Sequence, residues 1–218
     1  MQLLYGLAPD LQSSDYMTLL RVGWRRMGPV VFRPDCPRCR KCLSLRVPVA
    51  SFRPSRTQRR IWKRNAREVA LKIASPCLTP ERLELYKAFR DHGHQTKGWP
   101  ARSGESTAEG QSGFELFLIN PIPTEEWSYW IEDRLLGVGY VDVLAEGLSA
   151  VYFFHDPREH KRSLGTLNIL RLIEAAGRRG LSHVYLGYYV KGCRSLEYKA
   201  RFRPNEVCTD SAWEAFTA

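Results

Sequence analysis

The chain has 218 residues, 44% of them apolar, with six tryptophans: enough for a sizeable core and too apolar for a disordered polymer. Its formal charge is +10, and no apolar run nears the roughly 20 residues that a bilayer-spanning helix needs, so a helical membrane protein is excluded. Six cysteines are too sparse for a disulfide scaffold, and Met1-Gln2-Leu3-Leu4-Tyr5-Gly6 lacks a basic leader; a cytoplasmic chain is expected.

In chain order, Ser13-Ser14-Asp15 can cap a helix running to about Met27. Val30–Arg33 reads as a short strand, residues 34–42 as a tight loop, and Leu43–Val49 as a strand leaving it. Pro54-Ser55 opens a basic helix over 56–65, Glu68–Ala74 alternates as a strand, and Thr79-Pro80-Glu81 starts a helix to about Arg90. Residues 93–113 lose the apolar pattern and are expected to be a mobile loop or boundary. Strands are expected at Phe114–Asn120, Ser128–Asp133, Val138–Leu144, Ala150–His155 and His183–Tyr189, with a helix over 164–178. The expected architecture is α+β: a mixed sheet with a crossover helix over 114–218, preceded by a smaller basic N-terminal region over 1–92.

The charge is unevenly placed. Residues 1–72 hold 16 of the 33 basic residues but only four of the 23 acidic ones, so the entire positive excess lies in the first third. Such asymmetry points to a polyanion partner, or else to a solvated basic surface. In the 56–65 helix, Arg59, Arg60, Lys63 and Arg64 surround Trp62, a pattern suited to phosphates. Cys36, Cys39 and Cys42 are spaced for zinc or an iron–sulfur centre, but a fourth ligand is not adjacent, and a trio of reduced thiols is the plainer alternative.

Further on, Arg162-Ser163-Leu164-Gly165-Thr166-Leu167 sits between strand and helix, where backbone amides can cradle an anion. It partly resembles the coenzyme A loop of N-acetyltransferases, with Leu167 in a position that loop keeps small. The stretch from Gly187 to Pro204 interleaves aromatics with Lys and Arg, and Tyr188, Lys199 and Arg203 stand out for binding.

Taken together, Cys36-Pro37-x-Cys39-x2-Cys42-x2-Leu45-Arg46-Val47-Pro48 and Phe52-Arg53-Pro54-Ser55-Arg56-x2-Arg59-Arg60 resemble the amino-terminal part of aminoacyl-tRNA–protein transferases. Tyr152-Phe153-Phe154-His155-Asp156-Pro157, Ser163-Leu164-Gly165-Thr166, Leu186-Gly187-Tyr188-Tyr189 and Tyr198-Lys199-x2-Phe202-Arg203-Pro204 resemble their carboxy-terminal part. The resemblance is to the bacterial, leucine-transferring branch. It implies an acetyltransferase-like (GNAT-type) fold, and transfer of leucine from leucyl-tRNA to the N-terminal amine of proteins beginning with Asp or Glu, the tagging step of an N-degron route. No cofactor is then needed for the chemistry. Tyr152, His155 and Tyr188 become the catalytic candidates, and Ser163, Gly165, Lys199 and Arg203 the substrate contacts. Arg56, with Arg53 second, is expected to meet the acceptor's carboxylate, and Arg59, Arg60, Lys63 and Arg64 the tRNA. The rival expectations are a coenzyme A-dependent N-acetyltransferase and a non-enzymatic RNA-binding module.

Overall fold

The computed structural model describes residues 2–97 and 113–216; most of the expected 93–113 loop lies outside the described residues. Three strands, β1 (Leu3–Leu7), β2 (Arg25–Met27) and β3 (Val30–Pro34), form a small antiparallel sheet in the order β1-β3-β2. The main sheet has eight strands: β4 (Leu43–Pro48), β5 (Ala70–Ala74), β6 (Thr124–Ile131), β7 (Arg134–Leu144), β8 (Gly147–His155), β9 (His183–Tyr189), β10 (Glu206–Thr209) and β11 (Ala212–Ala215). Their order is β11-β10-β4-β9-β8-β7-β6-β5. Segments on both sides of residues 93–113 therefore contribute strands to one sheet.

Every pairing in this sheet is antiparallel except β8 with β9. A parallel neighbour needs a crossover, and helix α4 (Leu164–Arg178) supplies it. Its Leu167, Leu172, Ile173 and Ala176 pack on Leu45, Val184, Leu186 and Trp127 in the largest core cluster. Helix α2 (Arg56–Asn65) lies beside α4, contributing Ile61, with Trp62 packed against the same cluster. On the opposite face, helix α1 (Ser13–Arg21) buries Tyr16, Met17 and Leu20 against Tyr185 and Leu144. Helix α3 (Pro80–Lys97) joins an aromatic cluster of Tyr86, Phe89, Phe114, Phe117, Tyr140 and Phe154.

Three expectations are corrected. The first helix stops at Arg21, because the amides of Gly23 and Trp24 fold back onto the carbonyls of Leu20 and Leu19 and end the turn. The chain then returns as strand β2. The expected strand Phe114–Asn120 is a helical turn, with the amides of Phe117 and Leu118 bonded to the carbonyls of Phe114 and Glu115. Its apolar residues Phe114 and Phe117, three apart, both reach the aromatic cluster, which alternation cannot achieve. The third helix runs on to Lys97 rather than ending near Arg90.

Candidate active site in the splay between two parallel strands

The two parallel strands pair only from Gly147 with His183 to Ser149 with Tyr185, and then diverge. Each carries a bulge where they part. On β8, Tyr140 faces Tyr152 and Val141 faces Ala150, which leaves Val151 as the extra residue. On β9, Leu45 faces Gly187 and Arg46 faces Tyr185, which leaves Leu186 extra. A bulge adds local twist and turns a strand out of its ladder. Two at the same level open the sheet into a cleft of about 700 Å³.

Two cations sit at its floor. Arg25, from β2, is 4% exposed; one terminal nitrogen, Nη2, donates to the carbonyl of Ala150, and the other, Nη1, is buried with no hydrogen-bond partner among the described residues. Lys199 is half-buried, and its Nζ donates to the carbonyl of Tyr188 at 3.3 Å. Gly187 lies beside both: its φ of +80° favours glycine, and a Cβ there would touch Lys199 Nζ at 3.5 Å and Arg25 Nε at 3.7 Å, ordinary contact distances. Loss of hydration, and then the charge of Arg25, hold the Lys199 ammonium down to a pKa of about 7. Strand alternation sends the next residue, Arg26, the other way. Its guanidinium meets the buried Asp142 through both Nε (3.0 Å) and Nη2, and also bonds Thr124, Asn120 and the Gly28 carbonyl. Of two adjacent buried arginines, one is fully paired and the other is not.

Six of the candidates line the cleft: Tyr152, His155, Ser163, Gly165, Tyr188 and Lys199. Tyr152 is part of the aromatic wall, and burial pushes its phenol up to about 12. His155 stacks edge-on to Phe89 with ring centres 5.2 Å apart, and its Nδ1 lies 3.1 Å from the Asp156 carbonyl oxygen. Tyr188 donates to the carbonyls of Gly23 and Phe32 at 3.2 and 3.3 Å, pinning the small sheet to the large one, and burial raises its pKa. Ser163 takes a left-handed conformation, φ +55°, to start α4, and its carbonyl accepts from the amides of Thr166 and Leu167. Gly165 in the first turn is covered by Tyr198, whose hydroxyl would lie 3.3 Å from a Cβ placed there. Leu167 points into the core, 1% exposed, and so does not crowd the cleft.

The remaining candidates lie elsewhere. Helix α2 is started by a reciprocal cap between Ser55 and Gln58 and held at both ends: Gln58 donates to the Arg201 carbonyl at 3.1 Å, and Asn65 to the Arg162 carbonyl at 3.0 Å. This presents Arg56, Arg59, Arg60, Lys63 and Arg64 on its exposed side. Arg64 also reaches the Lys161 carbonyl beside the cleft. Arg56, in the first turn, is not among the cleft residues, and Arg53 donates to the carbonyls of Ala50 and Phe52. Arg203 is tied to the same end, its carbonyl accepting from the Arg53 amide at 3.2 Å. A smaller, apolar hollow of about 440 Å³ between α2 and α4 holds little chemistry beyond Arg59 and Glu174.

The three cysteines share one loop, in which Cys36 and Cys39 form an isolated antiparallel bridge. Cys36 Sγ accepts from the Gln2 amide at 3.2 Å, Cys39 is exposed, and Cys42 lines the cleft, its thiol pushed up first by burial and then by Cys39 and Cys36. Among the described residues no three of His, Cys, Asp and Glu are grouped to hold a metal ion. Nor is any helix among the described residues long and apolar enough to cross a membrane.

The cleft is thus floored by two cations and opened by a split in a mixed sheet. The pattern of the N terminus of arginine-tRNA-protein transferases matches residues 3–60, and that of their C terminus matches residues 81–209; the chain belongs to this aminoacyltransferase family. Among its curated relatives, the aspartate/glutamate leucyltransferase of Pseudomonas paraeruginosa is 39% identical over 203 residues, spanning 93% of this chain and 83% of the relative. That of Halorhodospira halophila is 40% identical over 214 residues, spanning 96% and 87%. In fold, the chain is similar to the C-terminal domain (DUF2156) of a protein assigned as a lysylphosphatidylglycerol synthetase from Agrobacterium fabrum. The TM-score is 0.51 at 12% identity, covering 78% of this chain and 60% of the other.

Among the residues lining the cleft, Arg25 has no mark in the sequence if Arg25 and Arg26 end a helix, where adjacent arginines are ordinary surface. In a strand flanked by Trp24 and Met27, alternation must bury at least one of them. That was the available signal.

Proposed function

We propose that this chain transfers leucine from leucyl-tRNA to the N-terminal α-amine of proteins beginning with Asp or Glu, in the cytoplasm, where both substrates meet. The observation that carries this reading is the cleft with paired cations at its floor, in a chain 39% identical to an aspartate/glutamate leucyltransferase. The sheet is read as acetyltransferase-like, with the acyl ester at the splay.

The α-amine, with a pKa of about 7.7–8.0, is partly neutral at physiological pH. Its nitrogen attacks the ester carbonyl, the C–O bond to the terminal ribose breaks, and the ribose oxygen leaves with one of the amine's protons. Ester aminolysis is downhill, so the enzyme's task is to position the two substrates and stabilise the developing oxyanion. Tyr152 and His155 wall the reacting centre, with Ser163 and Gly165 at the start of α4. Tyr188 holds the walls together through its two carbonyl contacts. No bound metal is assigned a role: Cys36→Ser should leave transfer within about twofold of wild type, as for a surface change. One tightly held zinc per chain by elemental analysis would overturn that assignment.

The exposed face of α2 is assigned to tRNA phosphates, including Arg56, Arg59, Arg60, Lys63 and Arg64. Each phosphate neutralised contributes about −0.7 to −0.9 to the slope of log affinity against log salt. Replacing Arg59 and Lys63 by alanine should therefore weaken tRNA binding and flatten the slope by about one to two units; an unchanged slope would make the face merely solvated.

Incubating the protein with labelled leucyl-tRNA and peptides beginning with Asp, Glu or Ala tests the reaction directly. Label appearing on the first two and not the third is the expected result; label on none overturns it. A coenzyme A-dependent N-acetyltransferase is disfavoured because Tyr198 covers the α4 turn where a pyrophosphate would bind. Acetyl-CoA should accordingly leave the melting temperature unchanged.

A further inference from the structure

The floor of the cleft poses an electrostatic problem. Burying a cation is costly unless it is paired and fully hydrogen-bonded. Arg26 meets that condition through Asp142, while its neighbour Arg25 does not: among the described residues it forms no ion pair, and its Nη1 has no partner. Lys199 forms no ion pair either, among those residues, and it lies near enough to Arg25 to feel its charge. Both nitrogens lie close to one point over Gly187, which puts them no more than about 7 Å apart, a spacing one carboxylate bridges with an oxygen to each. Neither cation forms an ion pair among the described residues, and an anion placed at this point would meet both.

We infer that Arg25, with Lys199 beside it, receives the side-chain carboxylate of the acceptor's N-terminal Asp or Glu and so sets the acceptor specificity. This rests on the transfer reaction proposed above. The site's depth favours a carboxylate over a tRNA phosphate. At 4% exposure Arg25 is out of reach of a polynucleotide backbone, which meets exposed cations such as Arg194 at the rim. The side chain of a terminal residue can enter, and it brings its own α-amine into the cleft beside β8. The contact of Lys199 with the Tyr188 carbonyl is long at 3.3 Å, and its stem is flexible, so the ammonium can swing to admit the carboxylate. Loss of hydration and the charge of Arg25 hold Lys199 near a pKa of about 7, as expected of a cation whose counter-charge arrives with a ligand. Arg56, on the outer face of α2, is the competing candidate and serves as the control.

The test compares leucine transfer to peptides beginning with Asp, Glu, Asn and Gln by wild type, Arg25→Gln, Arg25→Lys and Arg56→Ala, with tRNA affinity and binding of Asp-Ala and Asn-Ala dipeptides measured on each. Arg25→Gln should lower kcat/KM for the acidic peptides by about ten- to a hundredfold and collapse the preference for Asp over Asn, with tRNA affinity unchanged. Arg25→Lys keeps the charge on a shorter stem, so if the Gln variant does not fold, the Lys variant should still shift preference from Asp towards the longer Glu. An acid-over-amide preference that survives in both Arg25 variants, or that is lost in Arg56→Ala, overturns the assignment and leaves the reaction standing. A wild type that binds Asp-Ala over Asn-Ala but transfers nothing overturns the reaction and leaves the carboxylate site standing.

Discussion

Asp142→Ala is expected to be the most destabilising single substitution tested at a polar site in this protein. The carboxylate of Asp142 and the guanidinium of Arg26 are both inaccessible to solvent. Removing the carboxylate leaves Arg26 as a buried cation with only neutral partners, Thr124, Asn120 and the Gly28 carbonyl. Breaking a buried pair in this way costs about 3–5 kcal/mol. For a chain of this size, about 2–4 °C of melting temperature per kcal/mol makes that a fall of roughly 6–20 °C, readable by circular dichroism. Arg26→Met combined with Asp142→Leu removes both charges and should recover most of the loss. The double variant separates two explanations. If it melts as low as Asp142→Ala, the cost comes from packing and not from an orphaned charge; a single variant within 2 °C of wild type would show that Arg26 is not held by Asp142. The pair also bears on function, because Arg26 anchors β2 and so fixes where its neighbour Arg25 emerges.

Elements that carry their own local chemistry were legible in the sequence. Pro54-Ser55 with Gln58 marks the start of α2, because the cap needs those residues at that spacing. The uninterrupted apolar run of β9 marks a strand buried on both faces, and Leu164 to Arg178 shows the single wide stripe of a helix covering a sheet. Elements set by distant partners were not legible. Strand β2 is three residues long and owes its conformation to pairing with β3, and β10 and β11 owe theirs to the edge offered by β4. The segment at Phe114–Asn120 has strand-forming residues, but the aromatic cluster decides its shape.

The candidate site divides in the same way. Tyr152, His155, Ser163, Gly165 and Tyr188 come together because each lies towards the end of an element visible in the sequence: the end of β8, the start of α4, the end of β9; Lys199 reaches them from the helical turn Tyr198–Arg201. Tyr188 stands among the catalytic candidates in the sequence, yet its hydroxyl is taken up by the carbonyls of Gly23 and Phe32, a contact made across more than 150 positions and invisible to local reading. The opening of the cleft depends on two bulges, and a bulge is a property of paired strands, not of either sequence alone.

Lys199→Met should then do two opposite things: weaken transfer and strengthen the fold. The groups facing the ammonium are the Arg25 guanidinium from β2, the Cys193 thiol just before helix α5 (Arg194–Glu197), and the Tyr188 carbonyl from β9. Desolvation and Arg25 both disfavour the charge, and Cys193 only weakly favours it, so the folded pKa falls to about 7 against about 10.4 in the unfolded chain. The sign of the pH dependence follows from this. Below pH 7 Lys199 is charged in both states, and the folded state bears the full cost of that charge. Between about 7 and 10.4 the unfolded state holds more protons than the folded one, so wild-type stability gains on the variant as pH rises through that window. The melting-temperature advantage of Lys199→Met should therefore be largest near pH 6 and shrink towards pH 10; an advantage independent of pH would mean that methionine merely packs better. Transfer should respond in the other sense. With the ammonium gone, kcat/KM for Asp- and Glu-starting peptides should fall by about tenfold or more, while Asn-starting peptides change little. In wild type the Asp-to-Asn ratio, which cancels the ionisation of the α-amine common to both peptides, should be highest below pH 7 and decline above it as Lys199 loses its proton. In Lys199→Met that decline should vanish. A wild-type ratio flat from pH 6 to 9 would remove Lys199 from acceptor recognition, whatever the variant's activity.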